Sequence, residues 1–373
     1  MFRSSGWGSL FDADSFIVGV KQYADCSRGL GNFASCYFTT ENCFQEQIIE
    51  SIRQEVERAE SLQGFQIVHS IVGGTGSGLT MSTLEDMSCE YSKSIIESFT
   101  MVPSLQEACS DPFKIYNMML AFHYIIEHVN LTMLVQNFQL HQICFKSQRI
   151  SCPSFSDMNH LVTSCMAGIS AASRFGGPLN SSLRKLCTNL VPFPRLHFFT
   201  VAGAPFHPRP GVTSNLKKPA SLDLIDPRNF LIDTNLGAGR IFTGHCCFRG
   251  DWSLREINEN ISNIYKTRFC YPTQWIPNNI SYSVCPVPDI SQKSSATFIG
   301  NLSGIKELFN QYSFEFSKHF RKKKFVHKYY THGMDEMLFM EAESNFLDLA
   351  CEYQSYTDAT ADDDEEYLDE SDY

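Results

Sequence analysis

The chain has 373 residues, 43% hydrophobic and 19% charged, which gives enough material for sizeable cores and more than one domain. Its formal net charge is −11, yet nine acids and no base lie between Asp358 and Tyr373, so the body is close to neutral. There is no run of 18 or more apolar residues, no signal-peptide core at the start and no CxxC pair among the 14 cysteines; no spanning helix is expected, and a reducing, cytosolic protein with free thiols is.

In chain order, Asp14–Val20 predicts a strand, followed by a polar loop carrying Gly29-Leu30-Gly31-Asn32. Ile48, Ile49, Ile52 and Val56 fall at helical spacing, with Glu50, Arg53, Glu55, Glu57 and Arg58 on the opposite face, which predicts a surface helix. Leu62–Val72 predicts a buried strand, Leu79 to about Ser92 a helix, and Ser98–Val102 a strand ending at Pro103. Alternating strands and helices point to a parallel α/β sheet, in which ligands sit outside the carboxyl ends of the strands. A long helix is predicted from Asp157, stopped by Gly176-Gly177-Pro178, and a second over Asn180–Asn189. A strand starts at Arg195. The region to about Gly300 reads as a separate α/β domain, with strands at Gly239–Phe248, Trp275–Val284 and Ser295–Ile299. A helix with Ile305, Leu308, Phe309, Tyr312 and Phe316 on one face follows, then the basic run Arg321-Lys322-Lys323-Lys324, read as a solvated helix face. The last helix starts near Asp335, and the acidic tail is too charged and too poor in apolar residues to fold. Such a tail repels nucleic acid and suits basic partners.

The stretch that carries chemistry is Val72-Gly73-Gly74-Thr75-Gly76-Ser77-Gly78, set between a predicted strand and a predicted helix. Glycines let a backbone approach an anion and take up positive φ, and the N–H groups of a helix N-terminus favour negative charge. Thr75 and Ser77 add hydroxyl donors. No Gly-Lys-Ser/Thr follows, so this is not a Walker A loop. Gly73, Gly74, Thr75, Gly76, Ser77 and Gly78 are therefore the candidate phosphate-binding residues.

Several blocks together resemble the tubulin family, the beta type more than the alpha. They are the glycine stretch itself, Leu62-Gln63-Gly64-Phe65-Gln66 before it, Val191–Phe199, Trp275–Asn279, Thr297–Asn301, Asp335-Glu336-Met337, Glu341–Asn345 and Asp358-Ala359-Thr360-Ala361. The resemblance runs from about Leu62 to the tail, and is weak over 80–149 and strong after Asp157. It implies an α/β fold: a Rossmann-like GTPase domain (1–154, short at its N-terminus), a central helix plus intermediate α/β domain (155–318), a C-terminal helical region (319–357) and a disordered acidic tail (358–373). The family's first strand, its glutamine-rich phosphate loop and its acidic loop have no counterpart here. If the chain is complete, the sheet lacks its central strand and half its phosphate shell.

The resemblance further implies GTP or GDP as cofactor, with Mg2+ although the usual coordinating loop is missing. Gly29, Gly31 and Asn32 resemble the family's third phosphate loop, with one residue deleted after it. Phe155 falls at the position that stacks on guanine, without the usual tyrosine hydroxyl. Asn137 and Asn159 fall at the positions whose amides hold the base, and Asp111 lies near the ribose loop. Lys185 occupies the place where the alpha type carries a water-activating glutamate and the beta type a lysine, so hydrolysis would need an alpha-tubulin partner's carboxylate. Ser182 replaces an aspartate in the same loop. The expected function is a beta-tubulin-like GTP-binding constituent of cytoplasmic microtubules, co-assembling with alpha-tubulin and offering its tail to motors and basic microtubule-associated proteins, without nucleic-acid or membrane partners. The alternative is a nucleotide-free assembly partner or a truncated, non-polymerising product.

Overall fold

In the computed structural model, residues 31–38, 42–177, 179–206, 224–233, 239–266, 271–273, 275–289 and 292–359 are described. The strand expected at Asp14–Val20, Gly29 and the tail beyond Ala359 lie outside them.

The elements are α1 (Phe33–Phe38), α2 (Asn42–Arg58), β1 (Gly64–Ser70), α3 (Thr80–Glu90), β2 (Ile95–Val102), α4 (Leu105–Ser110), α5 (Pro112–His128), β3 (Leu131–Gln136), α6 (Asn137–Lys146), α7 (Phe155–Arg174), α8 (Leu183–Leu190) and β4 (Phe198–Ala204). Then come β5 (Arg240–Gly250), α9 (Leu254–Tyr265), β6 (Tyr271–Pro272), β7 (Ile280–Cys285), β8 (Ser294–Leu302), α10 (Ile305–Phe320), α11 (His327–Tyr330) and α12 (Glu336–Asp358). The eight strands form one sheet in the order β1-β2-β3-β4-β8-β5-β6, with β7 also on β5. β1 to β4 are parallel, and β8 runs antiparallel to both β4 and β5. Ser70 lies opposite Met101 and Val102 opposite Gln136, so β1, β2 and β3 end level at one carboxyl edge.

β2 and β3 are covered on both faces, as their near-continuous apolar runs require. Ile96, Val102 and Leu134 meet a layer built from α3, α5, α10 and α12, while Ile95, Phe99, Leu131, Met133 and Val135 meet α6, α7 and α8. α5 is the deepest helix: residues 115–122 are all buried. Each large apolar side chain there contributes about 1.5–3 kcal/mol by leaving water.

Several boundaries differ from expectation for local reasons. β1 stops at Ser70 rather than Val72. α7 begins two residues early, at Phe155, because the Ser154 hydroxyl caps it and Asp157 answers from the third helical position. α8 begins at Leu183, capped by Ser182, and not at Asn180, whose backbone is left-handed at φ 49°. The Trp275–Asn279 block is a turn, with Asn278 at φ 51°, and its strand starts only at Ile280. Arg321–Lys324 is no helix face: α10 ends at Phe320 and the run forms exposed turns, with Lys323 left-handed and paired with Glu336. Asp358, expected in the tail, is the last residue of α12. No helix among the described residues is long and apolar enough to cross a membrane.

Candidate functional site

The glycine stretch follows β1 at the carboxyl edge, but it is less of a loop than its sequence suggests. Thr75–Leu79 is a π-helical turn that runs straight into α3. Gly74 is right-handed, and none of the four glycines has positive φ. Their requirement is steric. A Cβ on Gly74 would lie 2.7 Å from the Asn32 carbonyl oxygen and 2.9 Å from its nitrogen. One on Gly78 would strike the Phe33 carbonyl, and one on Gly76 the Ser70 carbonyl. Three glycines thus serve the packing of the turn on β1 and on the 31–38 segment. Gly73 alone has open space around its missing Cβ. The Ser77 hydroxyl, expected as a ligand donor, is buried and donates to the carbonyls of Gly73 (2.7 Å) and Gly74 (3.3 Å). What faces solvent is Gly73 and Thr75, at the helix end where partial positive charge concentrates.

Gly31 and Asn32 are brought against this turn, as the Gly74 contact shows. Asn32 is buried and internally committed: its Oδ1 accepts from Ala34 N (3.0 Å) and its Nδ2 donates to Lys328 O (2.9 Å). Two residues holding the turn escaped the sequence reading. His69 Nδ1 lies 2.8 Å from Gly76 O; a carbonyl only accepts, so the proton sits on Nδ1 and Nε2 accepts from Ser98 Oγ at 2.9 Å. Burial pushes this imidazole down to about 4, so it is neutral. The other is Asn117, wholly buried on α5, whose carboxamide bonds to Gly31 O, Val72 O, Phe33 N and Tyr329 Oη. A lone polar residue inside an otherwise apolar run was the available signal.

Asn137 opens α6 directly after β3, two strands from β1 and so roughly 10 Å away along the edge. Phe155 and Asn159 lie one turn apart on α7, on one face of it. All three are exposed, Phe155 at 75%. α6 and α7 share one apolar core through Leu140, Ile143, Met158 and Leu161, which keeps these residues in one neighbourhood. Asp111 has a structural task, capping α5 by accepting from Phe113 N at 3.0 Å. Lys185 is exposed on the first turn of α8, and its N–H donates to the Ser182 cap at 3.3 Å. Among the described residues no three His, Cys, Asp or Glu side chains are placed to hold a metal.

A cavity of about 300 Å³ lies away from this edge, lined by Gln66, Glu97, Ser170, Asn180, Leu183 and His245. Burial pushes the Glu97 carboxyl up to about 7, against a 3.1 Å hydrogen bond from Gln66.

Comparison with known proteins places these features in context. The GTPase-domain model of the Tubulin/FtsZ family matches residues 4–145, and the tubulin C-terminal domain model matches residues 194–313. The tubulin beta chain of Cicer arietinum is 39% identical over 99% of this chain and 81% of its own length. The tubulin beta-6 chain of Gossypium hirsutum is 39% identical over 98% of this chain and 80% of its own.

Proposed function

Because the chain belongs to the tubulin family, with beta chains as relatives along nearly its whole length, we propose that it is a beta-tubulin-like constituent of microtubules that binds GTP or GDP and co-assembles with alpha-tubulin. The observation that supports this most is the strand–turn–helix at the level carboxyl edge of β1–β3. There an exposed Gly73 with open space around it heads a helix N-terminus. In this reading Gly73 and Thr75 meet the phosphates. Phe155 stacks on the base, and the carboxamides of Asn137 and Asn159 donate to and accept from its edge. Mg2+ would enter with the phosphate oxygens. Lys185 presents a cation to the next subunit, so the carboxylate that activates water comes from the alpha partner. α12 and the acidic tail attract motors and basic microtubule-associated proteins by long-range, salt-sensitive forces, in the cytoplasm and without nucleic acid or membrane.

A second reading, a nucleotide-free assembly partner, is favoured by one observation: the Ser77 hydroxyl and the Asn32 carboxamide are both committed inside the protein. Titration of the purified chain with a fluorescent guanine nucleotide, with and without alpha-tubulin, separates the two. Saturable, magnesium-dependent binding is expected. A folded chain that binds no nucleotide in either mixture would refute the first reading and leave the second.

A further inference from the structure

We infer that Asn117 is the positioning residue of the nucleotide edge: its carboxamide aims the Gly73 N–H at the phosphate group. The inference rests on the nucleotide reading above and deepens it.

Asn117 is fully buried in α5, between Tyr116 and Met118, in a run that is otherwise apolar. An unsatisfied amide there would be strongly unfavourable. It is satisfied completely, by backbone from two separate segments and by one tyrosine hydroxyl. Nδ2 donates to Gly31 O (2.6 Å) and to Val72 O (3.0 Å), while Oδ1 accepts from Phe33 N (2.9 Å) and from the Tyr329 hydroxyl (2.8 Å). Two donors and two acceptor sites are all that a carboxamide has.

The bond to Val72 O has a directional consequence. In a trans peptide the C=O and the following N–H point in opposite directions, and the only cis bond among the described residues is Ala204–Pro205. Holding Val72 O inward on Asn117 therefore turns the Gly73 N–H outward. Outward is the side on which Gly73 is exposed and a Cβ would meet nothing within 4 Å. The bonds to Gly31 O and Phe33 N fix the neighbouring segment against the same turn, and Tyr329 holds the carboxamide in its rotamer. Asn117 touches no ligand itself; it sets where a donor points.

The test compares GDP with guanosine, both displacing a fluorescent guanine nucleotide from the purified full chain. A donor aimed at phosphate matters to GDP and not to the nucleoside, whereas general loosening would weaken both. Asn117→Leu keeps the size and removes the donors without adding a charge that would itself repel GDP. It is expected to lower GDP affinity about tenfold or more, the range of a lost hydrogen bond to a charged group, with guanosine unchanged within about twofold. Tyr329→Phe removes only the hydroxyl that holds Oδ1; it is expected to lower GDP affinity about threefold, again sparing guanosine. Should Asn117→Leu not fold, as judged by its thermal melt, Tyr329→Phe decides. Folded variants that lose both ligands equally, or lose neither, would overturn the positioning role while the nucleotide reading stands. A wild-type chain that binds no guanine nucleotide would overturn both.

Discussion

Placing a methyl group at two neighbouring glycines, Gly73 and Gly76, should produce opposite results. Neither has positive φ, so alanine is conformationally allowed at both. On the unfolded side each Gly→Ala change favours folding by about 0.4–1 kcal/mol through lost chain entropy. At Gly73 nothing lies within 4 Å of the new Cβ, so that gain stands and Gly73→Ala should be neutral to slightly stabilising. At Gly76 the new Cβ meets the Ser70 carbonyl oxygen well inside contact distance, with Ser70 N at 3.1 Å. Both are backbone atoms of β1 and cannot rotate away. Overpacking of this kind costs about 1–3 kcal/mol. Moving the turn also stretches the 2.8 Å bond from His69 to Gly76 O, which adds about 1 kcal/mol. The net for Gly76→Ala is a destabilisation of roughly 1–4 kcal/mol. Urea unfolding followed by far-ultraviolet circular dichroism reads both variants, and a lowered midpoint at unchanged slope would give the difference. Equal midpoints for Gly76→Ala and wild type would refute the packing of the turn on β1. A large loss in Gly73→Ala would refute its placement in open space.

Three further outcomes are expected. His69, His197 and His245 are each pushed down to about 4 by burial, so their stabilising effect is complete above pH 6.5 and is lost as pH falls towards 4; Glu97, raised to about 7, works in the opposite sense, favouring the fold below pH 4.5 and losing that effect as pH rises to 7. Between pH 4.5 and 6.5 these four groups together give a slope of about 2 kcal/mol per pH unit in favour of higher pH, which urea midpoints at pH 5 and pH 6.5 would check and a flat profile would contradict. Ser154→Ala removes the capping box of α7 and should destabilise the chain by about 1 kcal/mol, with faster hydrogen exchange at Phe155–Asp157; unchanged exchange would speak against the cap. Arg195→Ala breaks the ion pair with Glu352 and the bonds to Asn345 that fasten the loop before β4 to α12, and a loss of about 1–2 kcal/mol in thermal or urea unfolding is expected, discounted because both partners are a third exposed.

The elements that were legible in sequence are those whose signal is local. α7 carries Met158, Leu161, Cys165 and Ile169 at helical spacing and ends where Gly176 turns left-handed at φ 67°. α10 and α12 show the same periodic faces. α5 gave no such sign, since a helix buried over residues 115–122 has no polar face to alternate with its apolar one. Nor does a list of strands say how they join. That β8 sits between β4 and β5, and so carries the sheet from the first half of the chain into the second, depends on pairings 44 to 100 residues apart.

The candidate site divides along the same line. Its location was readable, because strand, glycines and helix start are consecutive. The reason for its glycines was not, because the atoms that demand them belong to other segments: Asn32 at Gly74, Phe33 at Gly78, Ser70 at Gly76. A glycine cluster in sequence looks like freedom for a ligand; here three of the four are the contact surface of the protein with itself, and only Gly73 is left open. That asymmetry leaves Gly73 as the open position of the turn. A turn wedged between β1 and the 31–38 segment is pinned by His69 on one side and by Asn117 on the other. The rigidity that removes Ser77 from the list of donors is therefore the same rigidity that would let Gly73 and the helix start act without reorganisation when phosphate arrives.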